Sequence, residues 1–148
     1  SMDIKRLSTD YAVSPQIGPE DVAAVKEAGF SAVICNRPDP EIPPNLHAEV
    51  LRDAVEKAGM AFIENPVVGG MLSFDNLSAQ ATAMATADGP VLAYCASGNR
   101  SAIVWSLIKA QSGEMTPDEI LGVTRQAGYD HAGLRGQLES MAASPKDG

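Results

Sequence analysis

The sequence predicts an α/β domain spanning residues 3–142, with a central, mostly parallel sheet flanked by helices. Three observations predict it. Short apolar runs of strand length recur at Phe30–Cys35, Met60–Glu64 and Pro90–Cys95, the pattern of strands buried on both faces. Helical stretches separate these runs, and a helix between two strands makes a crossover, which implies parallel pairing. Gly and Pro fall at the expected boundaries, so each element has a start and a stop.

In chain order, Ile4–Val13 alternates loosely and predicts one or two short edge strands. Pro19-Glu20-Asp21 opens a helix with Pro at an early position and acids near the positive end of the dipole, and Gly29 stops it. The run Phe30–Cys35 leads into Asn36–Asn45, whose four prolines forbid helix interior and central strand. Leu46, Val50, Leu51, Ala54 and Val55 fall on one helical face, which Gly59 ends. After Met60–Glu64, Ser73 or Asp75 is placed to cap a helix over Asn76–Ala87. Ser101–Gln111 is apolar nearly all round, the mark of a buried helix. Thr116-Pro117-Asp118-Glu119 is a capping box with Pro at the first helical position. A last helix is expected over roughly His131–Met141, with residues 143–148 a frayed, disordered tail.

Composition narrows the function. The chain has 148 residues, 45% of them hydrophobic, enough for one core, and a net charge of −8, which argues against nucleic acid. No run reaches membrane-spanning length, and no secretory apolar region follows Ser1-Met2, which reads as an expression remnant. Two cysteines and two histidines, far apart, give neither a disulfide framework nor metal-ligand spacing, so no metal and no cofactor are expected. A cytoplasmic bacterial enzyme is the expectation.

The chemistry gathers after the last apolar run, at Cys95-Ala96-Ser97-Gly98-Asn99-Arg100-Ser101. A thiol ends a buried strand, and a small-residue loop leads from it into a helix. The helix start offers unpaired N–H groups and the positive end of a dipole, which favour anions and favour thiolate over thiol. Arg100 adds a fixed positive charge, and Gly98 allows positive φ, so that N–H groups from Ala96 to Ser101 can line an anion cradle. A lone cysteine is more often a core residue, but this context points to a cysteine nucleophile. No Gly-x-x-x-x-Gly-Lys-Ser/Thr occurs, which excludes a Walker loop. Asn36 and Arg37 leave a parallel strand at the same sheet edge, where ligand sites of open α/β sheets gather; the alternative is a plain surface connection. Cys35 is a candidate resolving thiol for Cys95 or, alternatively, a small buried hydrophobe.

The stretch Tyr94–Ser101 resembles the active-site loop of rhodanese-type sulfurtransferases. The strand and loop Phe30–Pro38 is similar to the corresponding segment of small dual-specificity phosphatases. Across about residues 3–142 the layout resembles the beta-lactamase-hydrolase-like, phosphatase-like domain family, also described as sulfur transferases. The resemblance implies a cysteine-phosphatase-like fold, Cys95 as nucleophile, Arg100 as oxyanion ligand and the Ala96–Arg100 N–H groups as the cradle. The sequence departs from phosphatases in three ways. Four residues separate Cys95 from Arg100 where they have five, Tyr94 stands in place of His, and Asp75 is the nearest candidate for a general acid. It departs from rhodaneses at Ala96, where they commonly have Arg.

These departures favour a sulfurtransferase that moves a sulfane sulfur through a Cys95 persulfide. The alternatives are a phosphatase working through a Cys95 phosphocysteine, and a catalytically weak anion-sensing domain. The expected partners are a small anionic or thiol substrate and a persulfide-handling enzyme.

Overall fold

A computed structural model describes residues 2–143. Five strands form one sheet in the order β1-β2-β5-β3-β4: β1 (Lys5–Ser8), β2 (Tyr11–Ser14), β3 (Ala32–Cys35), β4 (Ala61–Glu64) and β5 (Val91–Tyr94). Only β1 and β2 run antiparallel; β5 pairs in parallel with both β2 and β3, and β3 with β4. The expected elements are present, with differences in placement. Pro19–Asp21 is a 3₁₀ turn ahead of the helix Val22–Glu27, and Leu46 closes a 3₁₀ turn ahead of the helix Ala48–Lys57. The helix expected from Ser101 starts at Asn99. The stretch Ile4–Val13 reads as edge, yet β2 is an inner strand, buried at all four residues. The turn at Thr9-Asp10 folds β1 to the outside, and that frees the other side of β2 for β5.

Residues alternate between two cores. Val91 and Ala93 face one, with Trp105 and Leu107 of α4 (Asn99–Ser112). Leu77 of α3 (Phe74–Thr86), Ile120 of α5 (Pro117–Gln126) and Leu138 of α6 (Arg135–Ala143) complete it. Leu92 and Tyr94 face the other, with Val25 of α1 (Val22–Glu27) and Leu51 and Val55 of α2 (Ala48–Lys57). Burying each such Val or Leu contributes about 1.5–3 kcal/mol. Helix α4 meets the expectation of an all-round apolar helix, since eight of its residues are buried. Of the expected tail, Ala143 closes α6, and residues 144–148 lie outside those described.

Helix starts follow their caps. Ser73 caps α3 by accepting from the Asn76 N–H, so Asp75 is not the cap; it lies in the first turn, where a carboxylate suits the dipole. Thr116 and Glu119 form the capping box of α5. The Pro-rich loop is not featureless: two 3₁₀ turns, Asp39–Glu41 and Pro44–Leu46, fold it back over the carboxyl end of the sheet. No described helix is long and apolar enough to cross a membrane.

Candidate active site

Cys95 is the first residue past β5, and the strand period turns its side chain to the α4 face. The buried Cys95 Sγ receives the Gly98 backbone N–H at 3.1 Å. Gly98 holds φ +92 at the N-cap of α4, as the reading of Gly98 requires. A side chain there would also run into the Tyr129 hydroxyl. The Asn99 N–H is taken by Ser97 Oγ at 3.3 Å, and the Tyr129 hydroxyl donates to the Ser97 carbonyl at 3.0 Å. Asn99 Oδ1 meets His131 Nε2 at 2.7 Å, and the His131 ring stacks on Tyr129. Burial holds the imidazole below its ordinary pKa, so His131 favours the neutral form.

Arg100 sits in the first turn of α4, and its guanidinium is held from two sides. Nη1 donates to Glu41 Oε2 at 2.9 Å and to the Val67 carbonyl at 2.7 Å; Nη2 donates to Glu41 Oε1 at 2.8 Å. The Glu41 hydrogen bonds, and behind them the nearby Cys95 sulfur, raise the Arg100 pKa further, against the lowering effect of partial burial. Arg37 donates to Glu41 as well, from Nε at 2.8 Å.

Beneath the loop runs a buried polar network. Ser101 Oγ donates to Asn36 Oδ1 at 2.8 Å, and the Asn36 amide donates to Gln80 Oε1 at 3.0 Å and to the Asn65 carbonyl at 2.8 Å. Asn65 Nδ2 donates to the same Gln80 oxygen at 2.7 Å. Gln80 Nε2 donates to the Tyr11 hydroxyl, which donates to the Ser101 carbonyl. Four segments, β2, α3 and the loops after β3 and β4, are thereby tied to the start of α4. Such networks specify one arrangement when every member is satisfied.

Of the residues read from the sequence, Cys95, Ala96, Ser97 and Gly98 form the loop, and Asn99 and Arg100 open α4. Ser101 and Asn36 are brought close, but their side chains belong to the network under the loop. Arg37 reaches the site through Glu41. Cys35 is set apart: it pairs in register with Tyr94 and shares its face, the one opposite Cys95. Its thiol donates to the Arg37 carbonyl, and burial pushes its pKa up. Asp75 is exposed, and no hydrogen bond or ion pair joins it to the Cys95 loop among the described residues.

Glu41, Asn65, Gln80, Tyr129 and His131 were not singled out in the sequence. Gln80, a lone amide on the apolar stripe of α3 with Leu77 and Ala83, carried a readable signal. Glu41 stands four residues after Arg37, a spacing with meaning in a helix but none in a Pro-rich loop. Among the described residues no group of three or more His, Cys, Asp or Glu could hold a metal ion.

Comparison with known proteins follows the same outline. The chain is 29% identical over 129 residues to a beta-lactamase hydrolase-like protein of Xylella fastidiosa, covering 87% of this chain and only 30% of that relative's length. A crystal structure from Neisseria meningitidis, provisionally described as a phosphatase, superposes with a TM-score of 0.83 at 28% identity. It covers 95% of this chain and 99% of its own. The catalytic domain of a yeast PP-IP phosphatase, solved with citrate, shares the fold at 16% identity. Its TM-score is 0.70, with 98% of this chain and 86% of that one covered. Residues 3–122 match the family described as beta-lactamase hydrolase-like protein, phosphatase-like domain, and the chain belongs to that family.

Proposed function

We propose that this domain is a cysteine-dependent phosphatase acting on phosphate monoesters with good leaving groups. The observation that carries the reading is the seat of Cys95: a sulfur receiving a loop N–H at the start of a buried helix, with Arg100 in the first turn of that helix. The membership in a phosphatase-like family supports it. The sulfur-transfer reading, which the sequence departures favoured, draws no support from the family or from the neighbours described. What remains for it is the four-residue spacing between Cys95 and Arg100.

In the first step the Cys95 thiolate attacks phosphorus. The S–P bond forms as the bond to the leaving oxygen breaks, and that oxygen takes the electron pair. Loop N–H groups and Arg100 hold the three equatorial oxygens where charge develops. In the second step water attacks phosphorus, the S–P bond breaks, sulfur leaves as thiolate, and the water proton passes to phosphate or solvent. Among the described residues no protonated carboxyl group is joined to the loop to serve the leaving group, since Asp75 makes no contact with it and Glu41 is held ionised by two guanidiniums. Aryl oxides leave without a proton, so aryl phosphates suit the site.

The test is hydrolysis of p-nitrophenyl phosphate by wild type and Cys95→Ser. Turnover with a trappable phosphocysteine, falling to background in the variant, is expected. A Cys95 persulfide formed from thiosulfate, with no phosphate release, would return the assignment to sulfur transfer.

A further inference from the structure

A guanidinium that serves as an oxyanion ligand needs N–H donors free for it, but Arg100 is already engaged by a carboxylate of its own chain. Two explanations compete. Glu41 either occupies Arg100 in place of the substrate and must leave, or it holds Arg100 in position for the substrate.

Counting hydrogens decides between them. Arginine has five N–H donors. Glu41 takes one from Nη1 and one from Nη2, and the Val67 carbonyl takes the second from Nη1. What is left, Nε–H and one Nη2–H, lies along a single edge of the plane. That edge is a complete two-pronged fork of the kind that binds phosphate or carboxylate in bidentate fashion.

Glu41 is itself fixed. Arg37 donates from Nε to Oε1 and from Nη2 to the Glu41 carbonyl at 3.2 Å, and is steadied by Gln16 Oε1 at 3.3 Å. Pro38, Pro40, Pro43 and Pro44 lock φ along the loop, so little freedom remains to be lost on binding. A carboxylate built to swing away would not be tied down at both its side chain and its backbone.

We infer that Glu41 is a positioning residue that grips the Nη1/Nη2 edge of Arg100 and so presents the adjacent Nε/Nη2 edge to an oxyanion held over Cys95. The Pro-rich loop after β3 thus acts on the site through one ion pair rather than by touching the ligand. This rests on the oxyanion chemistry proposed above.

The experiment measures inorganic phosphate binding by calorimetry and p-nitrophenyl phosphate kinetics for wild type, Glu41→Gln, Glu41→Asp, Arg100→Lys and the Glu41→Gln/Arg100→Lys pair. Circular dichroism melts confirm that each is folded. Glu41→Gln is expected to weaken phosphate binding about tenfold, the loss of one charge-assisted contact. It should lower kcat/KM on the order of 100-fold, as small misplacements do. Glu41→Asp keeps the charge but falls a methylene short, and should behave like Glu41→Gln. Adding Glu41→Gln to Arg100→Lys should cost nothing more. Unchanged or tighter phosphate binding in folded Glu41→Gln overturns the inference and makes Glu41 a competitor of the anion. A full additive loss in the pair overturns it too, since Glu41 would then act elsewhere. A wild type that neither binds phosphate nor cleaves the ester brings down the oxyanion reading itself, and this inference with it.

Discussion

Cys35 and Cys95 end neighbouring parallel strands one residue out of step, and the fold gives them opposite surroundings. Cys35 is the register partner of Tyr94, so Cys95 sits one step beyond, on the other face. Cys35 lies in the core with Val33, Leu51, Leu92 and Tyr94; its thiol is pushed up by burial and bonded to the Arg37 carbonyl. Cys95 lies above the polar network and accepts an N–H. The strand period alone separates a core thiol from a candidate nucleophile. It also leaves the resolving role for Cys35 without support, because a bond between the two sulfurs would have to cross the sheet.

If the faces differ as described, damage beneath Cys95 should exceed damage at Cys35. Asn36→Ala leaves Ser101, Gln80 and the Asn65 carbonyl short of a partner in a buried site and is expected to cost about 3 kcal/mol. Cys35→Ala opens a small cavity in the core and removes one weak thiol donor from the Arg37 carbonyl, for about 1 kcal/mol, and should leave turnover unchanged. Urea midpoints of the two variants measure the contrast, and equal losses would erase it.

Gly98→Ala sharpens the comparison at the loop itself. The substitution demands positive φ of a residue with a Cβ and drives that Cβ at the Tyr129 hydroxyl. About 2 kcal/mol of stability should be lost. Turnover of an aryl phosphate should fall on the order of 100-fold, because the N–H that meets Cys95 Sγ moves with the loop. A variant as active as wild type would show that the loop geometry does not matter to the chemistry.

Most of the fold was legible because it is written in local patterns. Apolar runs of strand length, a Gly or Pro at each boundary and the Thr116–Glu119 box each act within a few residues. The site was half legible. Cys95, Gly98 and Arg100 lie together in sequence, so strand, loop and helix could be read in one pass. Glu41 could not, since it meets Arg100 across 59 residues of chain; Gln80 stands out as a lone amide on an apolar stripe, but its partner Asn36 lies 44 residues away. Nor could the inner place of β2, because strand order is set by which hydrogen-bonding edge stays free after the hairpin closes.

The smallest expected effect is a dependence of stability on alkaline pH that belongs to one face only. Burial raises the Cys35 pKa in the folded chain, while the unfolded chain titrates near the ordinary cysteine value of about 8.5. Below that pH both states hold the proton and Cys35 contributes no slope. Above it the unfolded chain releases its proton and the folded chain keeps it, so the unfolded state binds fewer protons and stability falls as pH rises. One group supplies at most about 1.4 kcal/mol per pH unit. Tyr11 and Tyr94, both raised mainly by burial, add the same sign at higher pH, above the ordinary tyrosine range. Urea midpoints at pH 8, 9 and 9.5 for wild type and Cys35→Ala isolate the term, since Cys95 is common to both and cancels in the difference. The gap between the two proteins should narrow as pH rises, because only wild type carries the penalty. A constant gap would mean that water reaches Cys35 in the folded state, and the sheet would then not divide the two thiols as described.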